Sequence, residues 1–179
     1  MTALAHVRAA PKDDAPIHGL CLRPGPNLRH FPDSLEMSVA GGIKGDRWLD
    51  APWLRLPDGR PDPDIQVSIL PQRVLDLVWR DRTGQPHPGD PIVADMDLSL
   101  ANLPEGALLQ AGTAILRVSG VFNDGCVKWK VRYGADAKAW VVAPGHPDLR
   151  LRGVLCAVVQ DGVVTRQDRL RKLPLQATA

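Results

Sequence analysis

Cys126 is the residue whose surroundings best equip it for chemistry. It follows a turn, Asn123-Asp124-Gly125, and precedes Lys128, Lys130 and Arg132. Nearby cations favour thiolate over thiol, and the thiolate attacks electrophiles and binds soft metals. A shielded loop cysteine without chemistry is the other reading of the same stretch. Cys21 and Cys156 stand in apolar runs and read as small buried hydrophobes. A second segment, Gly41-Gly42-Ile43-Lys44-Gly45-Asp46-Arg47-Trp48, sets a lysine and an arginine on either side of an aspartate. An arginine held by an aspartate is a fixed fork of donors suited to phosphate or carboxylate. A glycine-rich turn with a surface ion pair is the plainer reading. In a third segment, Leu151-Arg152-Gly153-Val154, only Arg152 has a claim to function.

Other chemistries find little support. His6, His18, His30, His87 and His146 lack zinc-site spacing, and no G-x-S-x-G elbow, P-loop or G-x-G-x-x-G fingerprint is present. Three separated cysteines without a C-x-x-C pair argue against a disulfide framework, a zinc ribbon or an iron–sulfur cluster. A formal net charge of +2 does not suit a nucleic-acid-binding chain, and Lys128-Trp129-Lys130 offers a single aromatic for stacking. No secretory leader is seen at the amino terminus, and no apolar run approaches the ~20 residues of a membrane span. A reducing cytoplasm is the expected compartment.

The elements that must position these residues are short. Seventeen prolines and sixteen glycines in 179 residues predict many turns and many short strands. Strands are expected over 17–23, 35–43, 65–70, 92–98 and 112–119, and a turn-rich insertion over 50–64. A helix is expected over 71–82, with proline in its first turn and Val74, Leu77 and Val78 on one face. A short helix is expected over 135–142. Segments 149–159 and 162–173 read as a closing hairpin with Asp161-Gly162 at its turn. The fold class is therefore mostly β, a small closed or nearly closed β-barrel with one or two peripheral helices. Residues 1–16 are read as a loose lead-in or short edge strand, 17–173 as one domain and 174–179 as a tail.

In order and spacing these segments resemble the MOSC family, the domain named after the carboxyl-terminal part of molybdenum-cofactor sulfurases. The family pattern runs Gly-hydrophobic-x-Gly-Asp-Arg-His, then a Val-Ser-Leu strand, then a cysteine after an apolar strand. An Arg-Gly-Val strand followed by x-Gly-x-Val closes it. Here the positions are Gly42-Ile43-Lys44-Gly45-Asp46-Arg47-Trp48, Val67-Ser68-Ile69, Cys126, Arg152-Gly153-Val154 and Asp161-Gly162-Val163-Val164. Residues 97–106 also match the stretch before the cysteine-bearing strand, so the resemblance spans 17–173. Trp48 stands where the family has histidine, Gly125 where proline often precedes the cysteine, and Gln167-Asp168 where Gly-Asp is common. Gly89-Asp90-Pro91 stands where an Arg-x-Asn element is expected.

The resemblance implies a cysteine that carries sulfur as a persulfide or ligates molybdenum in a pterin cofactor. Cys126 would then be both the catalytic residue and the metal ligand. That cofactor ends in a phosphate, so Lys44, Arg47, Lys128 and Arg152, with Asp46 beside Arg47, are the expected cofactor-binding set. Lys130 and Arg132 are read as solvated charges. Three functions follow: a molybdenum-cofactor oxidoreductase reducing N-hydroxylated substrates with an external reductase partner; a carrier handing sulfur or cofactor to another enzyme; or a cofactor-free binding module. The family also carries an association with pyridoxal phosphate binding.

Overall fold

In a computed structural model the chain is described over residues 2–174. Seven strands close a barrel: β1 (Ala15–Leu20), β4 (Val67–Pro71), β5 (Ile92–Ala94), β6 (Leu108–Ala111), β7 (Ala114–Val118), β8 (Val154–Gln160) and β10 (Arg169–Leu173). Their order around the barrel is β1-β10-β6-β7-β8-β4-β5, with β5 returning to β1. A second, three-stranded sheet joins β2 (Ser34–Ser38), β3 (Gly42–Ile43) and β9 (Gly162–Thr165) in the order β3-β2-β9. The expected mostly-β barrel is the observed one. Among the described residues no helix is long and apolar enough to cross a membrane.

Alternation along the strands sorts side chains between interior and exterior. Val67 and Ile69 of β4 enter the barrel core with Leu116 of β7 and Val154, Cys156 and Val158 of β8. Leu70 faces outward into a second cluster that seats the helices: α1 (Ala3–Arg8), α2 (Gln72–Val78), α3 (Val127–Tyr133) and α4 (Ala135–Val142). That cluster gathers Val7, Val74, Leu75, Trp129 and Val141 around Leu70 and Val93. β4 and β5 are the parallel pair of the barrel, which requires a crossover, and α2 with the following loop supplies it.

Several elements differ from expectation. Residues 3–8 form α1, held by the Thr2 hydroxyl, which accepts from the Ala5 amide, where a loose lead-in was expected. The expected strand 35–43 is a hairpin of β2 and β3, and the helix expected over 71–82 stops at Val78. β6 and α3 were not anticipated. The Asp161-Gly162 hairpin does not form. Both edges of β8 are already occupied, by β7 and β4, so β9 crosses to the free edge of β2. The tail expected over 174–179 lies, apart from residue 174, outside the described residues.

Candidate functional site

Cys126 lies at the start of α3, where its carbonyl accepts from the amides of Trp129 and Lys130. The turn before it is pinned from within and from two other parts of the chain. Asn123 Nδ2 donates to the Arg152 carbonyl, and its Oδ1 accepts from the Gly125 amide. Lys138 Nζ, from α4, donates to Asp124 Oδ2 at 3.0 Å and to the carbonyls of Asp124 and Gly125. Cys126 is exposed, whereas Cys21 and Cys156 are buried, at 1% and 0% exposure. Burial pushes the Cys21 thiol up to about 11 and the Cys156 thiol up to about 12, so both stay protonated.

Cys126 opens onto a cavity of about 460 Å³ between α3, the loop that ends at β5 and the segment 23–29. Among the described residues six cations line it, Arg23, Arg29, Arg47, Lys128, Arg132 and Arg152, against the carboxylates of Asp90 and Asp124. Helical spacing accounts for part of this set. On α3, Lys128 and Arg132 are four residues apart and share the cavity face, and Lys130 does not line it. The reading of Arg132 as a solvated charge is therefore corrected, because the helix that turns it inward was not foreseen. Arg132 Nη1 instead donates to the Pro88 carbonyl at 3.2 Å.

The deepest ion pair of the cavity is Arg152–Asp90. Arg152 Nη1 donates to Asp90 Oδ1 at 2.8 Å, with side-chain exposures of 12% and 1%. The Arg152 guanidinium also lies 4.6 Å from the centre of the Trp129 ring, a cation–π contact. Burial works to raise the Asp90 carboxyl, but the charge and hydrogen bond of Arg152 outweigh it and hold the group below its usual range. Gly153 fixes where Arg152 leaves the barrel. Its φ is +90°, and a Cβ there would sit 2.1 Å from the Ile69 carbonyl oxygen, so only glycine admits this approach of β8 to β4.

The second sequence motif folds differently from its expected role. Asp46 does not hold Arg47. Its fully buried carboxylate takes Arg23, with Nε to Oδ2 and Nη2 to Oδ1 both at 2.9 Å, and also accepts from the amides of Arg23 and Trp48. Asp46 thus presents Arg23, a residue the sequence reading did not select, to the cavity. Arg47 has no side-chain hydrogen bond among the described residues and lines both this cavity and a neighbouring depression. Lys44 belongs to that depression alone, where its Nζ pairs with Glu36 Oε2 at 2.8 Å and stays largely exposed. The structure therefore brings Cys126, Arg47, Lys128 and Arg152 together, places Asp46 behind Arg23, and leaves Lys44 outside.

The loop 85–90, where the Arg-x-Asn element was missed, is the hub of the site. It supplies acceptors to arginines that come from elsewhere. The Pro88 carbonyl takes Arg29 Nη2 at 3.4 Å as well as Arg132, and Asp90 takes Arg152. The Pro86 carbonyl takes the Tyr133 hydroxyl at 2.8 Å. His87 anchors the loop between the rings of Phe31 and Trp79, with centroids 5.3 and 5.2 Å away, and its Nδ1 accepts from the Gly89 amide. Burial lowers the His87 pKa to about 4, which keeps the ring neutral.

This arrangement of strands recurs in solved structures. A protein described only as hypothetical is 19% identical over 90% of this chain and 68% of its own, with a TM-score of 0.61. YiiM from Escherichia coli is 17% identical over 92% of this chain and 71% of its own, at 0.59. YuaD from Bacillus subtilis is 20% identical over 87% and 93%, at 0.57. The chain has their fold. YiiM and YuaD are MOSC-domain proteins, and at these identities the likeness is one of fold. No family model and no curated protein sequence matches the chain.

Proposed function

We propose that the chain is a MOSC-type protein that binds a molybdenum–pterin cofactor in the arginine-lined cavity, with Cys126 as the sulfur ligand, and reduces N-hydroxylated substrates. The observation that carries this reading is an exposed cysteine lining a cavity that also holds six cations and two carboxylates among the described residues. The residues fit such a group. Arg47 and Lys128 have side chains without partners among the described residues, and Arg29 and Arg152 each keep a buried Nε unpaired. These donors suit the phosphate and polar edges of a pterin, and a thiolate is a soft ligand. No three His, Cys, Asp or Glu side chains gather as metal ligands among the described residues. A metal at Cys126 would therefore be held mainly by its organic cofactor.

When bound, the cofactor supplies two-electron redox chemistry. The chain's own residues bind and orient: Arg47, Lys128 and Arg132 meet anionic groups, while Asp90 keeps Arg152 fixed over Trp129. Reducing N–OH to N–H consumes two electrons and two protons and releases water, so a reductase partner is part of this reading. Sulfur carriage is the second reading, favoured by the exposure of Cys126 at the surface. A thiolate takes up a sulfane sulfur by exchange.

The test is to purify the chain from cells that make the cofactor and to measure molybdenum and pterin. Near-stoichiometric amounts of both are expected. Their absence, with a persulfide on Cys126, would replace the first reading by the second. The absence of all three would leave neither.

A further inference from the structure

We propose that Arg29 and Arg132 together form a phosphate-binding subsite, taking the phosphomonoester end of an organic ligand at the Pro88 edge of the cavity. The inference rests on the cavity being a binding site, and not on molybdenum.

Two guanidinium groups from distant parts of the chain converge on one carbonyl oxygen, at 3.4 and 3.2 Å, which places their Nη atoms within about 7 Å of each other. Neither has a carboxylate partner among the described residues, unlike Arg23 with Asp46 and Arg152 with Asp90. The carbonyl carries only a partial charge, so the repulsion between the two cations stands largely uncompensated. Burial, and after it the Arg132 charge, pulls the Arg29 guanidinium below its ordinary value. Like charges held together by fixed acceptors, without a carboxylate, are the arrangement that an anion completes.

The donor set points to phosphate. Arg29 spends donors on the Asn27 and Pro88 carbonyls, yet its Nε is buried and unpaired. Among the described residues the Arg132 side chain makes one hydrogen bond, so most of its fork is unspent there. Two such forks match the charge and the several oxygens of a dianion better than a single carboxylate, which one fork would satisfy. Gly89 makes room for the arrangement: with φ at +96°, a Cβ there would lie 3.3 Å from Arg29 Nε. Around the mouth stand Leu28, Trp53, Phe122 and Val127, exposed by 55%, 63%, 46% and 78%. They offer apolar cover to the organic part of the ligand.

The test is calorimetric titration of the full chain, made in cells without the cofactor, with inorganic phosphate against chloride at matched ionic strength. Saturable phosphate binding is expected. Arg29→Gln and Arg132→Gln should each weaken it about tenfold or more, the usual effect of losing one charged hydrogen-bonding partner. Lys130→Gln, outside the cavity, should leave it unchanged. In phosphate-free buffer the thermal midpoint of Arg132→Gln should be unchanged or raised, because a repulsion has been removed; a purely structural arginine would lower it. If either glutamine variant fails to fold, Arg132→Lys, which keeps the charge and loses the fork, should still weaken phosphate binding. Absence of phosphate binding in the wild type, or unchanged affinity in the variants, would overturn the proposal. Repeating the titration on cofactor-loaded protein separates the sources: a closed site assigns the subsite to a cofactor phosphate, an open one to a phosphorylated substrate. Phosphate binding by the cofactor-free chain, with no molybdenum or pterin in protein from cofactor-making cells, would sink the cofactor reading alone; molybdenum and pterin in that protein, with no phosphate binding by the cofactor-free chain, would sink this subsite alone.

Discussion

Arg152→Met should be among the costliest single changes at the site, and the cost can be worked from the Arg152–Asp90 pair. The substitution keeps apolar bulk beside Trp129 but leaves the Asp90 carboxylate, 1% exposed, without its cation. Removing one partner of a buried ion pair costs about 3–5 kcal/mol, and a cation–π contact contributes about 1 kcal/mol of its own. Against a typical domain stability of about 5–15 kcal/mol, that is a large fraction. The pH dependence carries the sharper sign. In the wild type the Asp90 carboxyl is held below its ordinary value, so its contribution is fully present above the unfolded value and is lost as pH falls through the folded one. In Arg152→Met, burial without a cation raises the carboxyl instead, so protonation relieves the variant as pH falls. The stability gap between the two proteins should therefore shrink from pH 7 toward about pH 4. Urea unfolding with linear extrapolation reads both quantities, with equal m-values confirming a common unfolding reaction. Adding Asp90→Asn to Arg152→Met should recover most of the loss. A cost under about 1 kcal/mol, or a gap that widens as pH falls, would refute the reasoning.

Two further outcomes follow from the same geometry. His87 is neutral when folded, with a pKa near 4, and takes a proton more readily when unfolded; stability should fall by up to about 3 kcal/mol as pH drops from about 6.5 to about 4, and His87→Gln should flatten that slope. A brief iodoacetamide pulse at neutral pH, read by mass spectrometry, should label exposed Cys126 and spare buried Cys21 and Cys156; equal labelling, or preference for Cys21, would contradict the positions assigned to the three thiols.

The barrel was legible because its strands carry local signals. β7 alternates Ala114, Leu116 and Val118 inward against exposed Arg117, and turn residues mark the strand ends. α3 was not legible for a local reason. Val127 and Val131 are β-branched, the Cys126 side chain makes no cap hydrogen bond, and the first turn holds no acid. The helix is held by tertiary contacts, chiefly Trp129, 2% exposed in the outer cluster. Missing it misplaced Arg132. Cys126, Arg47, Lys128 and Arg152 could be picked because each lies in a distinctive segment. Arg23 and Arg29 could not, since each reaches the cavity through a partner far away in sequence, Asp46 for one and the Pro88 carbonyl for the other. The Gly89-Asp90 stretch looked like a loss of arginine, yet in space it gathers arginines.

The most direct measurement of the central proposal compares molybdenum and persulfide content in wild type and Cys126→Ser, both purified from cells that make the cofactor. Oxygen is a poor substitute for a soft sulfur ligand, and an exposed position tolerates the change, so the fold should persist while the bound molybdenum, or the persulfide, is lost. Folded Cys126→Ser that retains the wild-type content would show that Cys126 holds neither metal nor sulfur and that the cavity works without it.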